Sequence, residues 1–265
     1  GQYQHQMNIH NWLLGNRQRM NIQYLFHDGD IIDDEPNIQE WEQADAAYKK
    51  LDVAKFPYGV LAGNHDVGHL NGDYSNYTQY FGENRYLSNP WYGGSYKNNR
   101  GHYDLISVDG IDFIMLYMGW GIGDEEIQWM NDVLAQYPER KAILNFHEYL
   151  LASGGLGEEP QRIYDEVVSK NENVCMVLSG HYHNAKTRID TFTNADGSTR
   201  KVYNMLFDYQ GLMEGGAGYI RLMHFDVEGQ RMIVRTFTPS YGGSDFSNYG
   251  DYDAKPSETP NPGRS

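Results

Sequence analysis

The chain has 265 residues, 40% hydrophobic and 22% charged, with 21 basic residues against 36 acidic ones and a formal charge of −15. This composition excludes a disordered chain, allows a sizeable buried core, and contains no apolar run of membrane-spanning length. The acidic balance, with no basic stripe, argues against a duplex nucleic-acid partner, so an anionic substrate would need local positive charge such as bound metal ions.

In chain order, residues from about His5 to Met20 have helical character, with Ile9, Trp12 and Leu13 on the inner face. Asn21–His27 reads as a short strand that runs into Asp28-Gly29-Asp30. Gln39–Leu51 is a second helix, with Trp41, Ala44, Ala47, Tyr48 and Leu51 at helical spacing. Tyr58–Leu61 is a strand ending in Gly63-Asn64-His65-Asp66. From Leu70 to Gly101 the chain is rich in Gly, Asn and Tyr and reads as long loops around a short helix near Thr78–Phe81. Tyr103–Val108 and Ile111–Tyr117 form a hairpin across Asp109-Gly110, since Asp-Gly suits a tight hairpin turn.

A helix from about Asp124 to Tyr137 precedes the strand Ala142–Phe146, which ends in His147-Glu148. The helix Pro160–Lys170 leads to Val174–Leu178, a strand ending in Gly180-His181-Tyr182-His183. Four β-like runs follow: Lys186–Thr191, Lys201–Phe207, Tyr219–Asp226 and Met232–Phe237. Residues 1–250 read as one domain, and Asp251–Ser265 as a Pro/Ser/Asp-rich tail or linker. The single cysteine, Cys175, lies in a strand and reads as a core filler, which rules out an internal disulfide framework.

Four strands therefore end in short polar motifs: Gly29-Asp30-Ile31-Ile32-Asp33, Gly63-Asn64-His65-Asp66, His147-Glu148 and Gly180-His181-Tyr182-His183. Ligand sites in open α/β sheets lie beyond the carboxyl ends of strands, so adjacent strands would bring these motifs together. Carboxylate, amide oxygen and neutral imidazole are the donors that divalent cations accept. Taken singly, each piece has an ordinary explanation: Asp30 or Asp33 as a helix cap, Asn64 as a turn residue, His147 as a satisfied strand-end histidine. Taken in order at four strand ends, they favour a metal site.

This ordered set resembles the calcineurin-like metallophosphoesterase family over residues from about 20 to 240. Phe146–Leu150, Leu206–Gly211 and Gly218–Leu222 are also similar to its secreted bacterial members. The resemblance implies an α/β fold of two packed mixed β-sheets flanked by helices, a four-layer sandwich. It implies a soluble, extracellular or cell-surface protein holding two divalent ions, with Mn, Fe, Zn or Ni all compatible. Asp30 would bridge the ions. Asn64, His147 and His181 would bind the second, and His183 would help bind the first. His65 would act on the leaving group, oriented by Asp66, with Asp33 behind them. The implied reaction is hydrolysis of a small phosphomonoester or phosphodiester by a metal-bridging hydroxide.

The sequence departs from the family pattern at its start. No acidic residue precedes Asp28, whereas the family opens with Asp-x-His or Asp-x-Gln at the end of a first strand. The resemblance therefore implies an upstream strand carrying that motif, with this segment alone weak or inactive. Asp33 stands where a purple acid phosphatase has tyrosine, which argues against an Fe(III)–tyrosinate centre. Two further readings are a non-catalytic metal-stabilised surface or binding module of the same fold, and a hydrolase of another bond.

Overall fold

In the computed structural model, which describes residues 2–68 and 71–241, the Asp109-Gly110 hairpin forms as its sequence demands. Asp109 and Gly110 take φ of 50° and 77°, the paired left-handed conformations that match the twist of the flanking strands. The strands they join, β4 (Gly101–Val108) and β5 (Ile111–Met118), pair antiparallel from Val108↔Ile111 to Gly101↔Met118.

The other strands are β1 (Leu25–His27), β2 (Tyr58–Val60), β3 (Tyr92–Tyr96), β6 (Lys141–Phe146), β7 (Val174–Ser179), β8 (Ala185–Thr193), β9 (Thr199–Phe207), β10 (Ile220–Asp226) and β11 (Arg231–Phe237). The helices are α1 (Gln2–Asn16), α2 (Ile38–Val53), α3 (Ser75–Phe81), α4 (Asp124–Gln136) and α5 (Glu158–Ile163), the last continuing as a π turn over Tyr164–Val168. Among the described residues no helix is long and apolar enough to cross a membrane. The tail expected over 251–265 lies outside the described residues.

Seven strands form one mixed sheet in the order β3-β4-β5-β6-β7-β9-β8. A second layer consists of two pieces, parallel β1-β2 and antiparallel β10-β11. Alternation along the strands fills two interfaces. Ala142, Leu144 and Phe146 of β6 face α4 and α5 with Val133 and Val167, while Ile143 faces the second layer with Met115, Leu178 and Met205. A third core joins α1, α2 and α3 to the far side of that layer through Trp12, Trp41, Tyr48 and Val60. The result is the expected four-layer order of helices, sheet, sheet, helices.

Two elements depart from expectation. β1 begins only at Leu25, because its partner β2 begins after Pro57 and offers no earlier ladder. Tyr92–Tyr96, expected as loop, is strand β3, paired with β4. Cys175 is half-buried, and burial pushes its thiol up to about 11, which agrees with a structural role.

Candidate metal centre

β1 and β2 are parallel neighbours, so their carboxyl ends deliver Asp30 and Asn64 to the same edge. β6 and β7, also parallel, deliver His147 and His181. The turn after β1 is tight because Gly29 adopts φ of 95°, and a Cβ there would lie 2.6 Å from His147 Nδ1 and 2.8 Å from the Gly63 amide nitrogen. A Cβ on Gly63 would lie 2.2 Å from Asp30 Oδ1. Those glycines let the three motifs approach closely. Asp30 and His181 take φ of 52° and 67°, which side-chain-bearing residues rarely adopt.

The His147 ring is fixed from behind. Its Nδ1–H donates to the Asp28 carbonyl at 2.7 Å, which leaves Nε2 facing Asn64 Oδ1 at 2.9 Å and Asp30 Oδ1 at 3.4 Å. A backbone carbonyl that fixes the tautomer is the usual support behind a ligating imidazole. Ligands about 2.1 Å from one ion in a tetrahedral shell stand about 3.4 Å from one another, so this spacing fits a cation. The charges agree. Burial opposes a charge on His147, but Asp30, the Asp28 carbonyl and Asp66 outweigh it and raise its pKa. Burial likewise opposes a charge on Asp30, yet His147 and the His65 amide hold its carboxyl below the usual range. A site that favours a proton between these two groups also favours a divalent cation there.

The other expected residues stand around this cluster. The His181 ring lies 5.0 Å from that of His147, and burial and then His147 lower its pKa, as suits a neutral ligand. His183 is exposed and lies against Gly211, where a Cβ would be 2.9 Å from its Nδ1. Asp208 is near it, its carboxyl raised by burial and its Oδ1 accepting from the Gln210 amide at 2.8 Å. Among the described residues no three His, Cys, Asp or Glu side chains stand in ligating geometry. The convergent set is two of these types plus the amide of Asn64.

His65 sits at the rim. Its Nδ1–H donates to the Asp33 carbonyl at 2.7 Å, and the Asp33 carboxylate lies 3.6 Å away. Burial lowers its pKa, but the Asp33 carbonyl and the charges of Asp30, Asp33 and Asp66 prevail and raise it. The orienting contact thus comes from Asp33, where the family resemblance assigns it to Asp66. Asp66 is fully buried and accepts from the amides of Ile32 (3.0 Å) and Gly63 (2.7 Å), pinning the two motif loops together. Burial, and then Asp30, push its carboxyl up to about 7.

Sequence reasoning missed Trp120. Its ring lies 5.8 Å from His147 and 5.3 Å from His181, held by its amide on the Ala62 carbonyl and by Tyr74 Oη–H on its own carbonyl. The available signal was position, since Trp120 follows the carboxyl end of β5 as the other motifs follow theirs.

Residues 1–185 match the model of the calcineurin-like phosphoesterases. The chain belongs to that family. A calcineurin-like phosphoesterase fold also appears in its structural likenesses. A dimetal phosphatase from Danio rerio matches with a TM-score of 0.50 at 14% identity, covering 76% of each chain. The protein TT1561 of Thermus thermophilus matches with a TM-score of 0.52 at 12% identity, covering 89% of this chain and 93% of that one. At these identities the likeness concerns the fold. In sequence the chain is 54% identical over 230 residues to the uncharacterized protein YvnB of Bacillus subtilis, covering 86% of this chain but 18% of that protein. It is 26% identical over 176 residues to a probable glycerophosphodiester phosphodiesterase GpdQ of Arcobacter nitrofigilis, covering 61% of this chain and 56% of that protein.

Proposed function

We propose that this calcineurin-like domain hydrolyses small phosphomonoesters or phosphodiesters with two divalent ions, Mn, Fe, Zn or Ni. The observation that carries the reading is the convergence of Asp30 Oδ1, Asn64 Oδ1 and His147 Nε2 beside the His181 ring. Asp30, Asn64, His147 and His181 would hold one ion, and Asp30 with His183 would contribute to the other. Two such ions supply an activated water and positive charge for the phosphoryl oxygens. The resemblance of Phe146–Leu150, Leu206–Gly211 and Gly218–Leu222 to secreted bacterial members supports a location outside the cell.

The chain's own residues do the rest. The Asp28 carbonyl holds His147 in the tautomer that points Nε2 inward. His65, oriented through Nδ1 by Asp33, presents Nε2 at the rim, and its raised pKa keeps it protonated nearer neutrality. It then gives that proton to the departing alkoxide. Trp120 closes one side of the histidine pair and limits water.

The exposed position of His183 favours a second reading, a metal-stabilised binding module without turnover. His65→Ala separates the two. Turnover of a phosphoester panel should fall about 10²–10⁴-fold in the variant with bound metal unchanged. Undiminished turnover in that variant refutes the role given to His65. A wild-type protein that binds metal and hydrolyses none of the panel supports the binding module.

A further inference from the structure

A fifth strand ends at the candidate centre. β9 is parallel to β7, with Leu206 opposite Ser179, so their carboxyl ends point the same way. Two residues beyond that pair stand Asp208 on one chain segment and His181 on the other. Asp208 belongs to none of the four polar endings read along the chain.

The loop after β9 is fastened to the loop that carries both histidines. The Asp208 amide donates to the carbonyl of Asn184, the residue after His183, at 2.9 Å. The carboxylate then serves two sides. Oδ1 accepts from the Gln210 amide at 2.8 Å, which folds the chain back and sets Gly211 against the His183 ring. Oδ2 faces Gly180, where a Cβ would stand 3.9 Å from it, 3.9 Å from the Asp28 carbonyl oxygen and 4.0 Å from that of His147. Asp208 thus lies where the ends of β1, β6 and β7 meet.

An aspartate that only closed a turn would need one oxygen and could face solvent. Asp208 is half-buried instead. Burial pushes its carboxyl up, the Gln210 amide and then the charge of His183 oppose that, and Asp30 and His147 act on it as well. His183 turns its Nδ1 edge to the same loop, since a Cβ on Gly211 would lie 2.9 Å from Nδ1 and 3.3 Å from the His183 Cβ. His147 shows the same division, with Nδ1 on the Asp28 carbonyl and Nε2 facing Asn64 and Asp30.

We propose that Asp208 is a positioning residue of the centre: its carboxylate holds the His183 imidazole by the Nδ1 edge and leaves Nε2 for the ion assigned to Asp30 and His183. The inference rests on the metal reading given above. A carboxylate behind a ligating histidine fixes its tautomer and raises its basicity. His183, although exposed, is then an oriented ligand.

Mn(II) binding to the full chain tests this with no phosphoester present. Asp208→Ala should weaken the affinity about 10–100-fold. The double variant Asp208→Ala/His183→Ala should bind as His183→Ala alone does, because a residue that acts through another adds nothing once the other is gone. Losses that add in the double variant, or an unchanged affinity in Asp208→Ala, overturn the proposal. In the metal-free protein, nitrogen-15 shifts of the neutral His183 ring should show the Nδ1–H tautomer, and Asp208→Ala should abolish that preference. A tautomer indifferent to Asp208 also overturns it. Should the alanine variant not fold, the same cycle runs with Asp208→Asn, which has the same shape, and a smaller loss with the same non-additivity is expected. These failures leave the metal reading standing. Wild-type protein that binds neither Mn(II) nor Zn(II) refutes that reading, and the proposal with it.

Discussion

The two sheet layers differ in closure. In the seven-stranded layer β6 is buried from Ala142 to Phe146, with partners on both sides. The other layer is two pairs of strands with a cavity between them, and β1 is half-buried along its length. The candidate metal centre spans both. The closed layer carries His147 and His181, and the open one carries Asp30 and Asn64. The imidazoles thus stand on a continuous sheet, while the carboxylate and the amide stand on the two-stranded piece that borders the cavity.

Core truncations measure that contrast most directly. Leu144→Ala, at a fully buried position of the closed layer, should cost about 2–5 kcal/mol in urea unfolding. Leu25→Ala, on the open strand, should cost about 1 kcal/mol. Equal losses would break the comparison.

Acid titration probes the helical layer over the open sheet. His10 is fully buried, and its pKa is lowered to about 4, mainly by burial. An imidazole with a depressed folded-state pKa stabilises the fold above its unfolded value near 6.5 and loses that contribution as pH falls toward 4. The loss should reach about 3 kcal/mol, and His10→Gln should remove this part of the pH dependence of chemical denaturation. An unchanged slope in that variant would locate the acid sensitivity elsewhere.

The smallest expected effect sharpens the assignment at the rim. Asp33→Ala removes a carboxylate beside His65, so the midpoint of the His65 ring in a proton NMR titration should move down. An unmoved midpoint would leave the Asp33 carbonyl and the charges of Asp30 and Asp66 as the groups that raise it.

Much of this was legible in the sequence because it is periodic or local. The helix pattern of Trp41, Ala44, Tyr48 and Leu51 and the polar endings of four strands are read along the chain. β3 was hidden by Gly93 and Gly94, which weaken a strand pattern. Their reason is a neighbour, since a Cβ on Gly93 would lie 2.2 Å from the Tyr103 ring. The orienting role of Asp33 and the pinning role of Asp66 were hidden in the same way. Both lie within a few residues of His65 or of a candidate ligand motif, and only the fold of one loop over the other decides which oxygen, the Asp33 carbonyl or the Asp66 carboxylate, meets which partner.

The left-handed backbone at Asp30 and His181 has a consequence for laboratory evolution. Such a conformation costs a side-chain-bearing residue on the order of 1 kcal/mol or more, and glycine adopts it freely. A library randomised at these two codons and selected only for thermal endurance should enrich glycine at both. Breeding this domain for robustness alone would erase the candidate centre first.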